Sequence, residues 1–331
     1  NGMSYFVQKN DNYVFFLPLY HSGTMFLWAP FYATGATGTV LREFREPQWI
    51  IEAMAEEKGT DILFVVPVAV AILNAVKNGA LKLEDYDLSS WKYLEIGAQP
   101  VPFEVMKGLV ETFANAGVSN IYGITEGGGG GTFNLYPEDV LRKPGSIGKP
   151  TFGVEAMLVD FEGKETPPGE VGELAFRTPR MMKGYFKNPE MTAETLKDGW
   201  LYTGDLLKTD EEGFFYIVDR KKDMITSGGE NIFPVEIEDA LMEHPKIDDV
   251  ACIGYPDDRL VEIVMAIVQL KEGQSMTEEE VIDFAKQKIS LYKVPRKVVF
   301  DAVMRNPTGK LMKPQMREKY TGRKEAFKKL D

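Results

Sequence analysis

The chain has 331 residues, 44% hydrophobic and 27% charged, with 38 Lys and Arg against 50 Asp and Glu for a net charge of -12. That length fits roughly two domains at about 150 residues each, and the acidic balance argues against a nucleic-acid partner, which needs a basic face to release counterions. One cysteine, Cys252, excludes an intramolecular disulfide and fits a reducing, cytoplasmic compartment; the two histidines, His21 and His244, leave little for a zinc site, and no apolar run reaches the length of a transmembrane segment.

The first expected element is an aromatic strand over Tyr13 to Leu17, running into Pro18-Leu19-Tyr20-His21-Ser22-Gly23. Glu46-Pro47 opens a helix with Ile50, Ile51 and Met54 on one face, followed by Gly59. Asp61 to Val66 is a β-branched strand, Pro67 starts another helix, and Lys92 to Ile96 is a strand ending in the turn Gly97-Ala98-Gln99-Pro100. A helix from Pro102 places Val105, Met106, Leu109, Val110 and Phe113 inward before Gly117, and Val118 to Tyr122 is the next strand. This alternation predicts a parallel sheet covered by helices, with ligands beyond the carboxyl ends of its strands. Both the Gly97 turn and the pair Thr125-Glu126 fall at such ends. A hydroxyl and a carboxylate there can handle a nucleotide phosphate and its magnesium, which takes only one or two protein carboxylates; the alternative is a plain surface turn. The run Gly127 to Gly131 reads by itself as a flexible loop. His21 reads as a polar residue at a strand end, and the absence of a G-x-S-x-G elbow argues against a hydrolase pair with Ser22.

From Pro144 to Val218 the pattern shifts to short strands and turns, Val154 to Asp160 and Glu173 to Thr178 among them, which predicts a small β-rich subdomain. It ends in Gly199-Trp200-Leu201-Tyr202-Thr203-Gly204-Asp205, where a carboxylate at a strand end accepts hydrogen bonds from a ribose, or an ordinary Gly-Asp turn sits. Tyr216-Ile217-Val218 is a closing strand, and Asp219-Arg220-Lys221-Lys222-Asp223 is a charged pivot expected to stay out of any core. Ser227-Gly228-Gly229 is a loop free to take positive φ, and Pro234 sets the first turn of a helix with Val235, Ile237, Ala240 and Leu241 on its apolar face. Val250 to Ile253 and Ile263 to Leu270 read as strands, and Thr277 with Glu280 as a capping box for a helix through Lys288. The basic run Lys313 to Lys329 reads as a solvated helix face. Just before it, Asn306-Pro307-Thr308-Gly309-Lys310 reads as a loop able to enter a cleft. Its lysine either stabilises charge developing on phosphate oxygens, a contact worth about 10²–10³ in rate, or is a solvent lysine in a turn. It is not a Walker motif, because the upstream glycine and the following Ser or Thr are not in place.

Four motifs share one order and spacing: Tyr122-Gly123-Ile124-Thr125-Glu126, Gly199 to Asp205, the hinge from Tyr216 to Glu238, and Asn306 to Lys310. Together the chain resembles the adenylate-forming (AMP-binding) superfamily, of acyl-CoA synthetase or fatty-acid–CoA ligase type. The resemblance implies an α/β fold: a helix-covered parallel sheet with a β-rich subdomain, plus a small α/β C-terminal domain joined by a hinge. The implied boundaries are 1–143 for the C-terminal part of the large AMP-binding domain, 144–219 for the β-rich subdomain, 220–223 for the hinge and 224–331 for the mobile C-terminal domain. The phosphate loop ending in Pro-Lys-Gly that such enzymes carry upstream of the first motif has no counterpart here, so a C-terminal portion of such an enzyme is expected.

By the same resemblance, Thr125 meets phosphate, Glu126 the Mg2+, and Lys310 drives adenylation. Tyr122 packs on adenine beside Gly97, Ala98 and Gln99, the last standing where a small residue is usual. Asp205 and Arg220 hold the ribose, Lys222 is the pivot, and Ser227, Gly228 and Gly229 border a pantetheine tunnel. His21, Gly127 and Gly128 line the acyl pocket, where the run Gly127 to Gly131 would leave room for a bulky or long acid. Asp257, Asp258 and Glu262 follow the family loosely, Leu260-Val261 replacing a glycine-containing segment. The implied reaction joins a carboxylic acid to ATP, releasing pyrophosphate, and then exchanges AMP for CoA. Two other readings stay open, transfer of the acyl group to a carrier protein and a non-catalytic nucleotide-binding fragment; a homodimer is an assembly state to test.

Overall fold

In the computed structural model, which describes residues 7–42, 46–129, 131–134, 136–306 and 310–322, the first aromatic run forms β1 (Asn12–Phe15). Strand periodicity sends its side chains to two cores. Val14 and Phe16 join one cluster and Tyr13 and Phe15 another. The chain continues through α1 (Ser22–Thr34), β2 (Thr37–Val40), α2 (Pro47–Glu56), β3 (Asp61–Val65), α3 (Val66–Lys77), β4 (Tyr93–Gly97), α4 (Phe103–Thr112) and β5 (Gly117–Gly123). These strands form the parallel part of a sheet, in the order β2-β1-β3-β4-β5. On one face α2, α3 and α4 bury Ile50, Ile51, Met54, Ile72 and Leu109 against Phe64, Leu94 and Ile96, each side chain contributing about 1.5–3 kcal/mol. On the other face α1 packs Leu27 and Phe31 on Tyr13, Phe15 and Leu63.

The sheet is not wholly parallel. β6 (Gly131–Phe133) and, after α5 (Pro137–Arg142), β7 (Lys149–Pro150) extend it antiparallel. The link from β5 to β6 is too short for the crossover that a parallel partner needs.

A second sheet holds β8 (Glu155–Val159), β9 (Gly172–Arg177), then, after α6 (Pro189–Thr195), β10 (Leu196–Lys197), β11 (Trp200–Thr209) and β12 (Phe215–Arg220), with order β10-β11-β9-β8 and β12 on β11. Leu158, Leu174, Phe176, Leu201 and Leu207 form its core. The third sheet contains β13 (Ile225–Ser227), β14 (Glu230–Ile232), β15 (Ile247–Asp257), β16 (Val261–Leu270) and β17 (Lys297–Phe300), with helices α7 (Pro234–Met242), α8 (Glu278–Lys288) and α9 (Lys313–Thr321). Alternate residues of β15 and β16 face α7 and α8 on one side, and α9 through Met316 on the other. The capping box is present, with Thr277 Oγ1 accepting from Glu280 N and Glu280 Oε2 from Thr277 N.

The chain divides into two units. One runs up to Thr203 and includes Leu207–Ile217; the other is Gly204–Leu206 with Val218 onward. No helix among the described residues is long and apolar enough to cross a membrane. Three expectations need correction. The charged pivot is not wholly solvated, because Asp219 is 3% and Asp223 8% exposed. Asp219 accepts hydrogen bonds from Arg220 N and Val235 N, and Asp223 is paired with Arg317. Lys313 is likewise buried, on Glu238 at 2.8 Å, so the start of the basic run is an anchored helix. Asp205 lies inside β11 rather than at a strand end.

Candidate functional site

In the first unit the ends of β4 and β5 lie side by side, Gly97 opposite Ile121. A Cβ at Gly97 would stand 2.3 Å from the Ile121 carbonyl oxygen, so only glycine permits this approach. Ala98 follows at φ 68°, in the left-handed region that side chains disfavour, and leaves the turn exposed. Tyr122, near the end of β5, sets its ring 6.1 Å from that of Phe176. The chain then makes a single tight turn over Thr125–Gly127. Thr125 Oγ1 donates to Ser22 Oγ at 2.9 Å, and His21 caps α1 by accepting from Gly23 N at Nδ1, 3.2 Å away. His21, Ser22 and Thr125 are therefore neighbours.

Glu126 is half-buried and held at both ends. Its carbonyl accepts from Met182 N at 2.7 Å, and its Oε1 accepts from Tyr185 Oη at 2.9 Å. Burial first, and then this carboxylate, push the Tyr185 phenol up to about 12. Among the described residues no group of three or more His, Cys, Asp or Glu gathers as a metal cage. One carboxylate beside an exposed hydroxyl is nevertheless the donor set that fits a magnesium ion arriving with phosphate oxygens.

The room expected beside the glycines is filled by the protein itself. A Cβ on Gly128 would meet Arg180 O at 2.2 Å, and one on Gly129 the Phe26 ring at 2.0 Å; both residues also have positive φ. Gly131 backs onto Tyr122 O, while Gly127 alone has ordinary space. Gly130 lies outside the described residues.

In the second unit Arg220 Nε donates to Asp205 Oδ1 at 2.8 Å. Lys310 belongs to the same electrostatic group. Burial, Arg220 and Lys222 hold its ammonium below the usual lysine range, with Asp205 and Asp223 pulling the other way. Its loop is closed by two bonds, Lys310 N to Asn306 Oδ1 and Asn306 N to Lys310 O, each 2.9 Å; Pro307, Thr308 and Gly309 lie outside the described residues. Three residues later α9 is pinned by Lys313 on Glu238 and Arg317 on Asp223. Lys222 is exposed.

Gly228 and Gly229 form the two-residue turn between β13 and β14 at φ 61° and 89°, as a type I′ hairpin requires. Gly228 N donates to Leu260 O at 2.9 Å, and Ser227 pairs with Val261. The first unit thus gathers Thr125, Glu126 and the His21 turn, with Gly97–Gln99 and Tyr122 at the neighbouring strand ends. The second gathers Asp205, Arg220 and Lys310, while Ser227–Gly229 forms a separate hairpin. No local motif marks Tyr185 or Lys313. Both are polar groups whose partners, Glu126 and Glu238, lie 59 and 75 positions away.

Comparison with known proteins agrees with this layout. Residues 2–186 match the AMP-binding enzyme family and residues 236–310 the AMP-binding enzyme C-terminal domain. The chain is 34% identical over 307 residues to feruloyl-CoA synthase of Amycolatopsis sp, covering 92% of this chain and 60% of that one. It is 37% identical over 252 residues to long-chain-fatty-acid–CoA ligase FadD13 of Mycobacterium tuberculosis, covering 76% and 49%. Among solved structures, o-succinylbenzoate CoA synthetase (MenE) from Bacillus subtilis, in complex with its acyl-adenylate intermediate, superposes with a TM-score of 0.81 at 28% identity over 96% of this chain and 64% of that one. The chain spans about half to three fifths of the length of the curated relatives it matches.

Proposed function

The chain belongs to the AMP-binding enzyme family, and from that premise we propose that it is a portion of an ATP-dependent, AMP-forming acyl-CoA synthetase. The observation that carries the reading is the grouping of Asp205, Arg220 and Lys310 in one unit. In the first half-reaction a carboxylate oxygen attacks the α-phosphorus of ATP, the bond to pyrophosphate breaks, and an acyl-adenylate forms. Negative charge grows on the phosphate oxygens, and the Lys310 ammonium offsets it. Asp205 accepts from the ribose hydroxyls, a charged hydrogen bond worth about 1.5–3 kcal/mol, and Arg220 both fixes that carboxylate and offers a second ribose contact.

Tyr122 and the Gly97–Gln99 turn hold adenine, and Thr125 binds phosphate. Glu126 holds magnesium, which supplies charge neutralisation on the phosphates when bound. In the second half-reaction the CoA thiol adds to the acyl carbonyl and AMP leaves; the Ser227–Gly229 hairpin borders its pantetheine arm. Residues 220–223, around exposed Lys222, act as the hinge between a portion of the large domain (1–143, with the β-rich 144–219) and a mobile domain (224–331). The relatives named for feruloyl-CoA and long-chain acyl-CoA support an acid with a large apolar body, bound near His21 and Gly127. A cytoplasmic location fits the single, buried Cys252.

The test is mass spectrometry of the chain with ATP, magnesium, CoA and a pool of aryl and long-chain acids, beside Lys310→Ala. A new acyl-CoA, reduced about 10²–10³ in rate by the substitution, is expected. AMP release that needs no CoA, without an acyl-CoA product, would point to a carrier-protein acceptor. Tight binding of a stable acyl-adenylate mimic with no AMP formed would replace the enzymatic reading by a binding one.

A further inference from the structure

The backbone around Lys310 is a narrow antiparallel ribbon. Asn306 and Lys310 exchange two bonds, Arg305 bridges to Leu311, and Met312 N donates to Met304 O at 2.9 Å. These rungs hold residues 304–306 and 310–312 to each other, but a two-stranded ribbon is marginal by itself. Its direction depends on what each leg is fastened to. The second leg runs into α9, which Lys313 ties to Glu238 and Met316 packs into a core. The first leg is fastened by side chains with no part in the reaction described above.

Their anchor lies on a β-bulge. β15 pairs with β16 through Ile247–Leu270 and then Asp249–Gln269, so Asp248 is an extra residue on one strand. Regular alternation would put Ile247 and Asp249 on one face. The bulge separates them: Ile247 enters the core under α7 and α8, and Asp249, in step with Ala251 and Ile253, takes the α9 face. There Arg305 donates to Asp249, Nε to Oδ2 at 2.6 Å and Nη2 to Oδ1 at 2.8 Å. A two-bond fork of this kind fixes orientation as well as distance. The carboxylate is itself held, its Oδ1 accepting from Val250 N at 2.9 Å. Gln269, the ladder partner of Asp249, accepts from Val303 N at 3.0 Å and donates to Asp248 Oδ2 at 2.7 Å. The cross-strand pair thus grips alternate residues, Val303 and Arg305, of the leg that leads to Lys310. Glu238, already paired with Lys313, favours the charged Arg305 guanidinium too.

We propose, on the adenylation reading above, that Arg305 held by Asp249 is a positioning residue that aims the Lys310 ammonium. In this role it acts through Lys310 and not on the substrate. Loss of the fork leaves the ribbon closed but free to swing on its α9 leg, and a displacement on the order of 1 Å costs about a hundredfold in rate. The side chains of Arg305 and Asp249 are 38% and 18% exposed, so the pair adds little to global stability. Positioning and folding are therefore separable here, as they are not for buried Lys313.

The test has two arms. In the first, pyrophosphate release is measured for the unsubstituted chain, Arg305→Ala, Lys310→Ala and the double variant. Arg305→Ala lowers kcat by about tenfold to a hundredfold with the KM for ATP unchanged. It shifts the unfolding temperature by no more than about 4 °C, and it costs nothing further once Lys310 is alanine. Arg305→Lys, which keeps the charge without the fork, falls between. An unchanged kcat, or the same fractional loss in the Lys310→Ala background, would overturn the proposal. In the second arm, which needs no turnover, acetic anhydride labelling of Lys310 is followed against pH by mass spectrometry. Burial, Arg220 and Lys222 hold that ammonium down against Asp205 and Asp223. In Arg305→Ala it leaves this group and its midpoint rises toward the ordinary lysine value; an unmoved midpoint would overturn the proposal. A chain that releases no pyrophosphate yet shows this rise would refute the enzymatic reading while supporting the placement of Lys310 by Arg305. Should Arg305→Ala fail to fold, Asp249→Asn, which removes the charge and keeps the shape, carries both arms with the same expected results.

Discussion

Tyr185 Oη donates to Glu126 Oε1 across 2.9 Å, tying the loop before α6 to the tight turn after β5. One oxygen of the carboxylate is thereby held in place. If Glu126 holds magnesium, this bond sets where the metal sits. Tyr185→Phe is then expected to raise the magnesium concentration for half-maximal adenylation by about tenfold, the usual size of an outer-shell effect. The rate at saturating magnesium should change little. A titration of initial rate against magnesium checks this; a uniform loss of rate with no shift in the titration would reduce Tyr185 to a local folding role.

In the second unit the corresponding support is buried. Lys313 Nζ lies 2.8 Å from Glu238 Oε1, and the two side chains are 5% and 9% exposed. Burial alone would lower the Lys313 ammonium, but Glu238, Asp219 and Asp223 outweigh it and shift it upward, so it stays charged. Lys313→Met leaves Glu238 buried without its cation and should cost about 3–5 kcal/mol, whereas Lys313→Met with Glu238→Leu should recover most of that. Urea unfolding midpoints of the three proteins measure it. Equal destabilisation by the single and double variants would show that packing, not charge, dominates here.

Much of the architecture was legible because it rests on local pattern. Ile50, Ile51 and Met54 repeat at helical spacing, Pro47 and Pro234 mark first turns, and Thr277 with Glu280 is a cap that needs no distant partner. The errors share a cause. Asp219, Asp223 and Lys313 look solvated because charge is read residue by residue, yet each finds a partner far along the chain or on the backbone. Gly128 and Gly129 look like open space, yet Arg180 and Phe26 occupy it, and no local pattern reports that contact. Among the candidate residues, Asp205, Arg220 and Lys310 could be named from motifs. That Asp205 is bonded to Arg220 inside a strand could not.

The acids beneath α1 make a prediction about pH. Asp61 is raised from 3.8 to about 7, chiefly by burial and further by Asp11, with Thr60 and Lys92 acting against it; Glu95 moves the same way, again through burial. A carboxyl with a higher value folded than unfolded binds its proton more tightly in the native state. Its contribution to stability is therefore full below about pH 4 and is lost as pH rises to about 7, at on the order of 1 kcal/mol per pH unit. Tyr13, Tyr93 and Lys92, which surround it, titrate higher. Asp61→Asn should flatten the stability profile between pH 4 and 7 and be the more stable protein at pH 8. Denaturant unfolding across that range tests it, and parallel profiles for the two proteins would refute it.

Val261 carries the clearest backbone strain. Its φ of 72° is the left-handed region, and among the described non-glycine residues found there it alone is β-branched. Its side chain is 68% exposed, so apolar burial does not repay the conformation. What holds it is the backbone around it: Val261 pairs with Asp257 at the tip of the β15–β16 hairpin and with Ser227 in β13, while Leu260 O accepts from Gly228 N. Left-handed geometry costs an L-residue about 1–2 kcal/mol, and glycine loses about 0.5–1 kcal/mol more chain entropy on folding. Val261→Gly should therefore stabilise the second unit by about 0.5–1 kcal/mol. If the Ser227–Gly229 hairpin borders the thiol substrate, the looser loop should also raise the KM for CoA while leaving pyrophosphate release unaffected, a trade of activity for stability. Val261→Ala, which keeps a Cβ but loses the branch, should fall between. Urea unfolding with separate assays of the two half-reactions measures both effects. A loss of stability in Val261→Gly would mean that the valine rigidifies the hairpin by more than its strain costs.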